Sequence, residues 1–189
     1  MTGILLEIPP VAAGAAVAVA LMAGSVLVLR QRGSLTPRRL LIAWLTSWYL
    51  AGVAAVTLPL QIRTGDYSNL VPWYQKGNFV PLIGLDTRTV LLNLVMMVPL
   101  GLLLPFLTRV SGVRQVALTG LALSAAIEVT QFLSDVLVSG GRTADVNDLP
   151  VNTIGAVLGY LTYRAVISLP GVADVAGRWR AGGAATGVR

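Results

Sequence analysis

The chain alternates between long apolar stretches and short polar links. A bilayer-spanning helix needs about 20 predominantly apolar residues. The pattern predicts five helices of about that length: Val11–Leu29, Leu40–Leu60, Val90–Leu107, Gln115–Val138 and Leu149–Leu169. The predicted fold class is therefore all-α, a polytopic membrane helix bundle of about five transmembrane helices. It divides into a transmembrane domain, residues 1–170, and a flexible cytoplasmic tail, residues 171–189.

Basic residues are unevenly shared between the two sides of these helices. If the N-terminus is outside, the outside segments hold four of the 14 Lys and Arg residues, namely Arg63, Lys76, Arg88 and Arg142, and the inside segments hold the other ten. Because cytoplasmic loops carry the excess of positive charge, this distribution predicts an N-terminus outside. The net charge of +6 is then a signature of membrane topology, and we expect no nucleic-acid partner.

Composition narrows the chemistry further. The chain is 55% hydrophobic and 12% charged, about half the charge of a soluble domain. It contains no Cys and no His, which excludes disulfides, thiolate ligands, imidazole ligands and imidazole bases. Any catalysis would have to use carboxylates, hydroxyls or amides.

Polar side chains gather in one stretch where lipid should allow few. Glu128 and Gln131 are three residues apart and share one helix face, and Ser124 and Asp135 extend that face. A carboxylate at membrane depth costs roughly 2.5 kcal/mol or more, so it normally faces a bundle interior or a wet cavity. We name the following set the polar cluster and predict that it forms a ligand site: Glu128, Gln131, Arg142, Asp145, Asp148 and Asn152.

Three members of the polar cluster, Arg142, Asp145 and Asp148, precede the last predicted helix, and Asn152 lies within it. Arg142 could neutralise a carboxylate or bind a phosphate. Asp145 and Asp148 are candidate ligands for a divalent cation such as Mg²⁺ or Ca²⁺, and Asp148 is also a candidate N-cap. Within the helix, Gly155 and Gly159 are four residues apart, a spacing that lets another helix approach closely.

The link before the third helix, residues 69–86, is predicted to lie on the outer membrane surface or to be partly re-entrant. Pro72 and Pro81 preclude a long helix there. We expect Asn78 in this link and Asn93 in the third helix to add amides to the polar cluster, although Asn93 could instead only join helices. The aromatic residues of the link suit a membrane interface: Trp73, Tyr74 and Phe79.

An ordered series of motifs resembles the VanZ-like family. It covers about residues 70–165 and consists of Asn78-Phe79-Val80-Pro81-Leu82, Asn93 with Pro99-Leu100-Gly101, Glu128-x-x-Gln131, and Arg142-x-x-Asp145-x-x-Asp148-x-x-x-Asn152-x-x-Gly155-x-x-x-Gly159. The resemblance implies a VanZ-like transmembrane domain. It also implies an accessory membrane protein of the kind associated with teicoplanin resistance.

Several functions remain open at this point. The first is a bacterial cytoplasmic-membrane protein of the cell envelope whose outward polar cluster binds a lipid-linked wall precursor, a phospholipid or a glycopeptide. The second is a membrane enzyme that acts on a lipid-linked phosphate or wall substrate with paired carboxylates. The third is a transporter with Glu128 as its proton site. The fourth is a structural partner of a larger membrane complex, in which the polar cluster would only hold the helices together.

Overall fold

The computed structural model describes residues 3–7, 9–57, 61–64, 72–138, 143–172 and 179. Its framework is five long helices, at the positions that the apolar stretches predict. They are α1 (Pro10–Gln31), α2 (Pro37–Thr57), α3 (Thr87–Leu107), α4 (Val113–Val138) and α5 (Asp148–Ile167). The all-α membrane bundle is confirmed.

Four of these helices, α1 to α4, are long and apolar enough to cross a membrane, among the residues that the structure describes. The fifth predicted span, α5, is 20 residues long but is not apolar enough to count with them. Its first three turns carry Asp148, Asn152 and Thr153. A fifth crossing, like the outside position of the N-terminus, therefore stays a prediction.

Short extended segments, which the apolar pattern does not predict, join the helices at one end. The strands β1 (Gly3–Glu7) and β2 (Gln61–Thr64) pair in antiparallel fashion. The strands β3 (Gly77–Asn78) and β4 (Ala144–Asp145) pair in parallel fashion. We call this the polar end, because α2 ends there and the polar half of α5 begins there. The opposite end carries Arg and is the basic end.

The tightest helix contact joins α3 and α5, which run parallel to each other. A Cβ atom at Gly155 would overlap the Leu94 carbonyl oxygen, and one at Gly159 would overlap the Val98 carbonyl oxygen. Gly101 is equally close to the backbone of Ala156. The predicted close approach at Gly155 and Gly159 is confirmed. These contacts determine the position of α5 along the axis of α3.

The packed core lies where α3, α4 and α5 meet. Side chains at its centre are almost fully buried, and they include Met97, Leu100, Leu104, Val116, Ala156, Tyr160 and Tyr163. The outer faces are different, because large apolar side chains such as Val19, Leu92 and Val129 are more than half exposed. Helices that expose so much apolar surface are stable against lipid rather than water.

Two prolines lie within α3 without ending it. Pro99 and Pro105 are both inside the continuous helix, in agreement with the single predicted stretch Val90–Leu107. A helix in a bundle tolerates proline because neighbouring helices satisfy or shield the freed carbonyl groups.

The predicted tail, 171–189, lies mostly outside the described residues. Only its first two residues and Trp179 are described.

Candidate functional site

The polar end is assembled by pairing two chain segments that lie far apart in sequence. The strand β3 pairs with β4, with Asn78 opposite Asp145. The Val146 amide then donates to the Asn78 carbonyl oxygen at 2.9 Å. This pairing places the link before α3 directly beside the link before α5.

Asp145 is the residue that joins the helices to these links. Its backbone N–H donates to the Glu128 Oε2 atom at 2.7 Å, so α4 is tied to β4. Its Oδ1 atom accepts from Asn78 Nδ2 at 3.1 Å and from the Asn147 backbone N–H at 2.8 Å. Hydrogen bonds to an ionised group are roughly twice as strong as neutral ones, and Asp145 therefore holds three chain segments together.

Asn147, which is not among the predicted site residues, forms hydrogen bonds to an exposed loop that we call the apolar loop. We give this name to residues 79–85, whose side chains are largely apolar and exposed; Leu82 is 81% exposed and Ile83 is 61% exposed. Asn147 Oδ1 accepts from the Leu82 N–H at 2.7 Å, and Asn147 Nδ2 donates to the Ile83 carbonyl oxygen at 3.0 Å. Asn78 Nδ2 donates to the same carbonyl oxygen at 2.7 Å.

The Leu82 backbone shows that these hydrogen bonds impose a conformation. Its φ angle is +66°, in the left-handed region that non-glycine residues seldom adopt. Such a conformation persists when the surroundings over-determine it, and the Asn147 amide supplies that constraint. The sequence feature that could have indicated this role of Asn147 is a short polar side chain between Asp145 and Asp148, in a link whose backbone groups need hydrogen-bond partners.

A second set of polar groups lies between α3, α4 and α5. Asn152 Nδ2 donates to Ser124 Oγ at 2.9 Å, and the Ser124 hydroxyl donates to the Asp148 carbonyl oxygen at 3.4 Å. Asn152 and Ser124 are almost fully buried. The Asn93 amide hydrogen-bonds the Asp148 carboxylate, so α3 also reaches the site. The Asn152 Oδ1 atom is buried and has no hydrogen-bond partner among the described residues.

Asp148 is not the N-cap that we predicted. The helix α5 begins at Asp148, and the N-cap position belongs to Asn147, which makes no capping hydrogen bond with its side chain. The physical reason is that the Asn147 amide is already occupied by the apolar loop. Asp148 instead lies in the first turn, where a negative charge is favourable beside the helix N-terminus.

Gln131 contacts α2 at the edge of the site. Its Nε2 atom donates to the Thr57 carbonyl oxygen at 3.0 Å, at the end of α2 where carbonyl groups lack helical partners. Near it, the buried Lys76 ammonium donates to the Asp135 carbonyl oxygen at 2.9 Å. In these contacts Gln131 and Lys76 join segments of the chain, and a direct contact of Gln131 with a ligand stays a prediction.

The electrostatic character of the described site is negative. Asp145 and Asp148 both act on Glu128 as like charges, and Asp145 acts on Asp148 in the same way. In the described part of the chain, no Lys or Arg is among the groups that act on Glu128 or Asp148. A ligand that brings positive charge or many hydrogen-bond donors would therefore match this surface.

The arrangement does not form a ready-made metal site. Within the described ranges, no group of three or more Asp and Glu side chains is placed to hold an ion. The predicted divalent cation at Asp145 and Asp148 would need further oxygen ligands from amides or from a bound head group. It stays a prediction.

Most of the predicted site residues come together at the polar end. Glu128 and Asn78 hydrogen-bond Asp145. Asn152, Asp148 and Asn93 belong to the second set of polar groups. Gln131 lies next to it, against α2. Arg142 falls outside the described residues.

The chain was compared with known protein families. The VanZ/LLP1 family model matches residues 39–168, a range that contains α3, α4, α5 and every predicted site residue. No curated protein and no solved structure matches the chain. Since the family model covers more than half of the sequence, the chain belongs to the VanZ/LLP1 family.

Proposed function

We propose that the chain is a bacterial cytoplasmic-membrane protein of the cell envelope that binds an envelope component at the polar cluster, on the outer side. The component is a phosphate-bearing lipid-linked wall precursor or another phospholipid, or a glycopeptide that carries similar hydrogen-bonding groups. Through that binding the protein would contribute to teicoplanin resistance. The carrying observation is that Glu128, Asp145 and Asp148 gather at one end of a membrane bundle beside an exposed apolar loop.

The chemistry of the side chains supports a head group with both donors and phosphate. Among the described residues, Asp145 uses Oδ1 and Glu128 uses Oε2, which leaves the other oxygen of each carboxylate to accept from a hydroxyl or ammonium group of a ligand. Arg142 would bind the phosphate, because a guanidinium matches its oxygens with two parallel hydrogen bonds. A divalent ion could bridge phosphate and Asp148.

The surroundings support a ligand that has a lipid portion. Trp73 and Tyr74 precede the apolar loop and are more than half exposed, as amphipathic rings at a membrane interface are. A head group at Asp145 would leave its acyl chains beside Leu82 and Ile83. The same loop would therefore contact the chains while the polar cluster holds the head group.

The test is to purify the protein with native lipids and to identify those lipids by mass spectrometry, for wild type and for Arg142→Ala. A matched control is Arg109→Ala, which removes an exposed cation at the basic end. We expect one phosphate-bearing lipid to be enriched with wild type and with Arg109→Ala, and to be lost with Arg142→Ala. The same lipids in all three folded proteins, or an unchanged teicoplanin susceptibility with Arg142→Ala, would contradict the proposal.

A second candidate is a membrane enzyme, favoured by the electrostatic interaction between the like-charged carboxylates of Glu128 and Asp148. Two such groups can divide the acid and base roles of a hydrolysis, and a metal at Asp148 could assist phosphoryl chemistry. Purified protein should then turn over undecaprenyl-linked or phospholipid substrates, with or without Mg²⁺. If neither class reacts while the native lipid still binds, the binding function stands and the enzyme does not.

A further inference from the structure

A cavity of about 400 Å³ opens at the basic end, far from the polar cluster. Its walls come from the start of α2, the end of α3 and the end of α5, with Val172 and Trp179 beyond α5. Among the described residues, the side chains that line it carry no charge and include Ile42, Leu45, Leu103, Phe106, Val166 and Trp179. Its volume is within the roughly 300–1,000 Å³ range of ligand pockets.

The lining restricts what can occupy this space. Water needs two to four polar partners to occupy a cavity, and these walls offer almost none. An acyl chain, which surrounds the helices in any case, fits the shape and the polarity.

The mouth of the cavity adds positive charge. The Arg38 guanidinium carbon lies 5.7 Å from the centre of the Trp179 ring, and Trp179 is part of the lining. Arg38 also precedes Ile42 by one helical turn on α2, and Arg39 lies in the same turn. An apolar cavity with cations at its mouth matches an amphiphile that has an anionic head group.

We propose that the cavity at the basic end is a binding site for an anionic phospholipid, with one acyl chain in the cavity and the head group at Arg38. The acyl chain alone gives little preference, because the bilayer that it leaves is as apolar as the cavity. Selection therefore comes from the head group, where one cation near an anionic lipid contributes about fivefold. This site and the polar cluster are at opposite ends of the bundle, so the inference does not rest on the proposed function.

The experiment measures lipid binding to the delipidated full chain by native mass spectrometry. The probes are phosphatidylglycerol and phosphatidylcholine with identical acyl chains. We expect wild type to prefer phosphatidylglycerol, and we expect Arg38→Gln to lose about fivefold in its affinity for that lipid while its affinity for phosphatidylcholine is unchanged. The matched control is Arg30→Gln, at the same end in α1, which should behave as wild type.

A second variant tests the cavity itself. Leu103→Trp would fill it and should weaken the binding of both lipids, and Val166→Phe offers the same test from α5 should Leu103→Trp not fold. Equal binding of the two lipids by wild type, or equal losses with Arg38→Gln and Arg30→Gln, would overturn the proposal. So would a dimer whose dissociation opens the cavity, because the occupant would then be a second copy of the chain.

Discussion

Replacing Gly159 with alanine should separate α3 from α5. The added methyl group would overlap the Val98 carbonyl oxygen, which is a backbone atom. A flexible side chain could rotate away from such a contact, but a helix backbone has to shift as a whole. The shift would loosen the packed core around Met97 and Tyr160, both of which are almost fully buried.

The magnitude follows from two opposing terms. Overpacking a well-filled contact costs about 1–3 kcal/mol, whereas alanine gains up to about 1 kcal/mol over glycine in helix propensity. Because the overlap is with a backbone atom, the upper part of the first range, about 2–3 kcal/mol, applies, and the net expectation is a loss of about 1–2 kcal/mol in the free energy of unfolding. That loss corresponds to a shift of roughly 5- to 30-fold in the ratio of folded to unfolded protein.

The assay is reversible unfolding in mixed micelles with increasing SDS, followed by circular dichroism. Gly52→Ala in α2 is the matched control, because among the described residues no atom outside its own helix turn lies within 4 Å of the position of its added Cβ. We expect Gly159→Ala to unfold at lower SDS than wild type and Gly52→Ala to unfold at the same or slightly higher SDS. If the two variants unfold together, the close approach of α3 and α5 does not exist as described.

Three further changes test the polar end. Ser124→Ala removes the acceptor of the buried Asn152 amide and should cost about 1 kcal/mol in the same unfolding assay. Asn147→Ala removes both of its side-chain hydrogen bonds to the apolar loop, so we expect faster hydrogen exchange and faster protease cleavage in that loop. Asp86 accepts hydrogen bonds from the Thr89 N–H and hydroxyl, which hold the pKa of Asp86 below its usual range. The contribution of Asp86 to stability is therefore present at neutral pH and is lost as the pH falls through the folded-state pKa. We expect Asp86→Asn to lack that pH dependence of the free energy of unfolding.

Each of these changes has an outcome that would count against it. Wild-type stability of Ser124→Ala would mean that the Asn152 amide finds another acceptor. Unchanged exchange rates in the apolar loop of Asn147→Ala would mean that other contacts hold Leu82 in its conformation. A pH profile of Asp86→Asn that matches wild type would assign the acid sensitivity to other carboxylates.

The helices could be predicted because their cause is local. A run of apolar residues long enough to span a bilayer has few alternatives to a helix in lipid, and all five observed helices overlap the predicted stretches to within a few residues. The close approach of α3 and α5 was predictable for a similar reason, since Gly155 and Gly159 stand four residues apart on one face.

The arrangement of the site was harder to predict because its contacts are not local. Asn78 and Asp145 pair through strands of two residues each, which are too short to leave a periodic pattern. The hydrogen bonds between the Asn147 side chain and the apolar loop depend on that pairing. Because the pairing could not be foreseen, Asp148 was wrongly predicted to be the N-cap. The sequence indicated which residues form the polar cluster, whereas their hydrogen-bond partners could be identified only from the folded structure.

The hydrogen bond between Asn78 and Asp145 joins residues 67 positions apart, and this separation has a consequence for biogenesis. During synthesis β3 is made before α3 and α4, and its partner β4 follows both of them, so the network at the polar end cannot close until α4 is in the membrane. Contacts of such long sequence separation form late in folding, and membrane insertion proceeds from the N-terminus. A chain stopped after α4 would hold the four apolar spans of the described residues around a polar end whose network is still open, and the completed network would mark a fully inserted molecule.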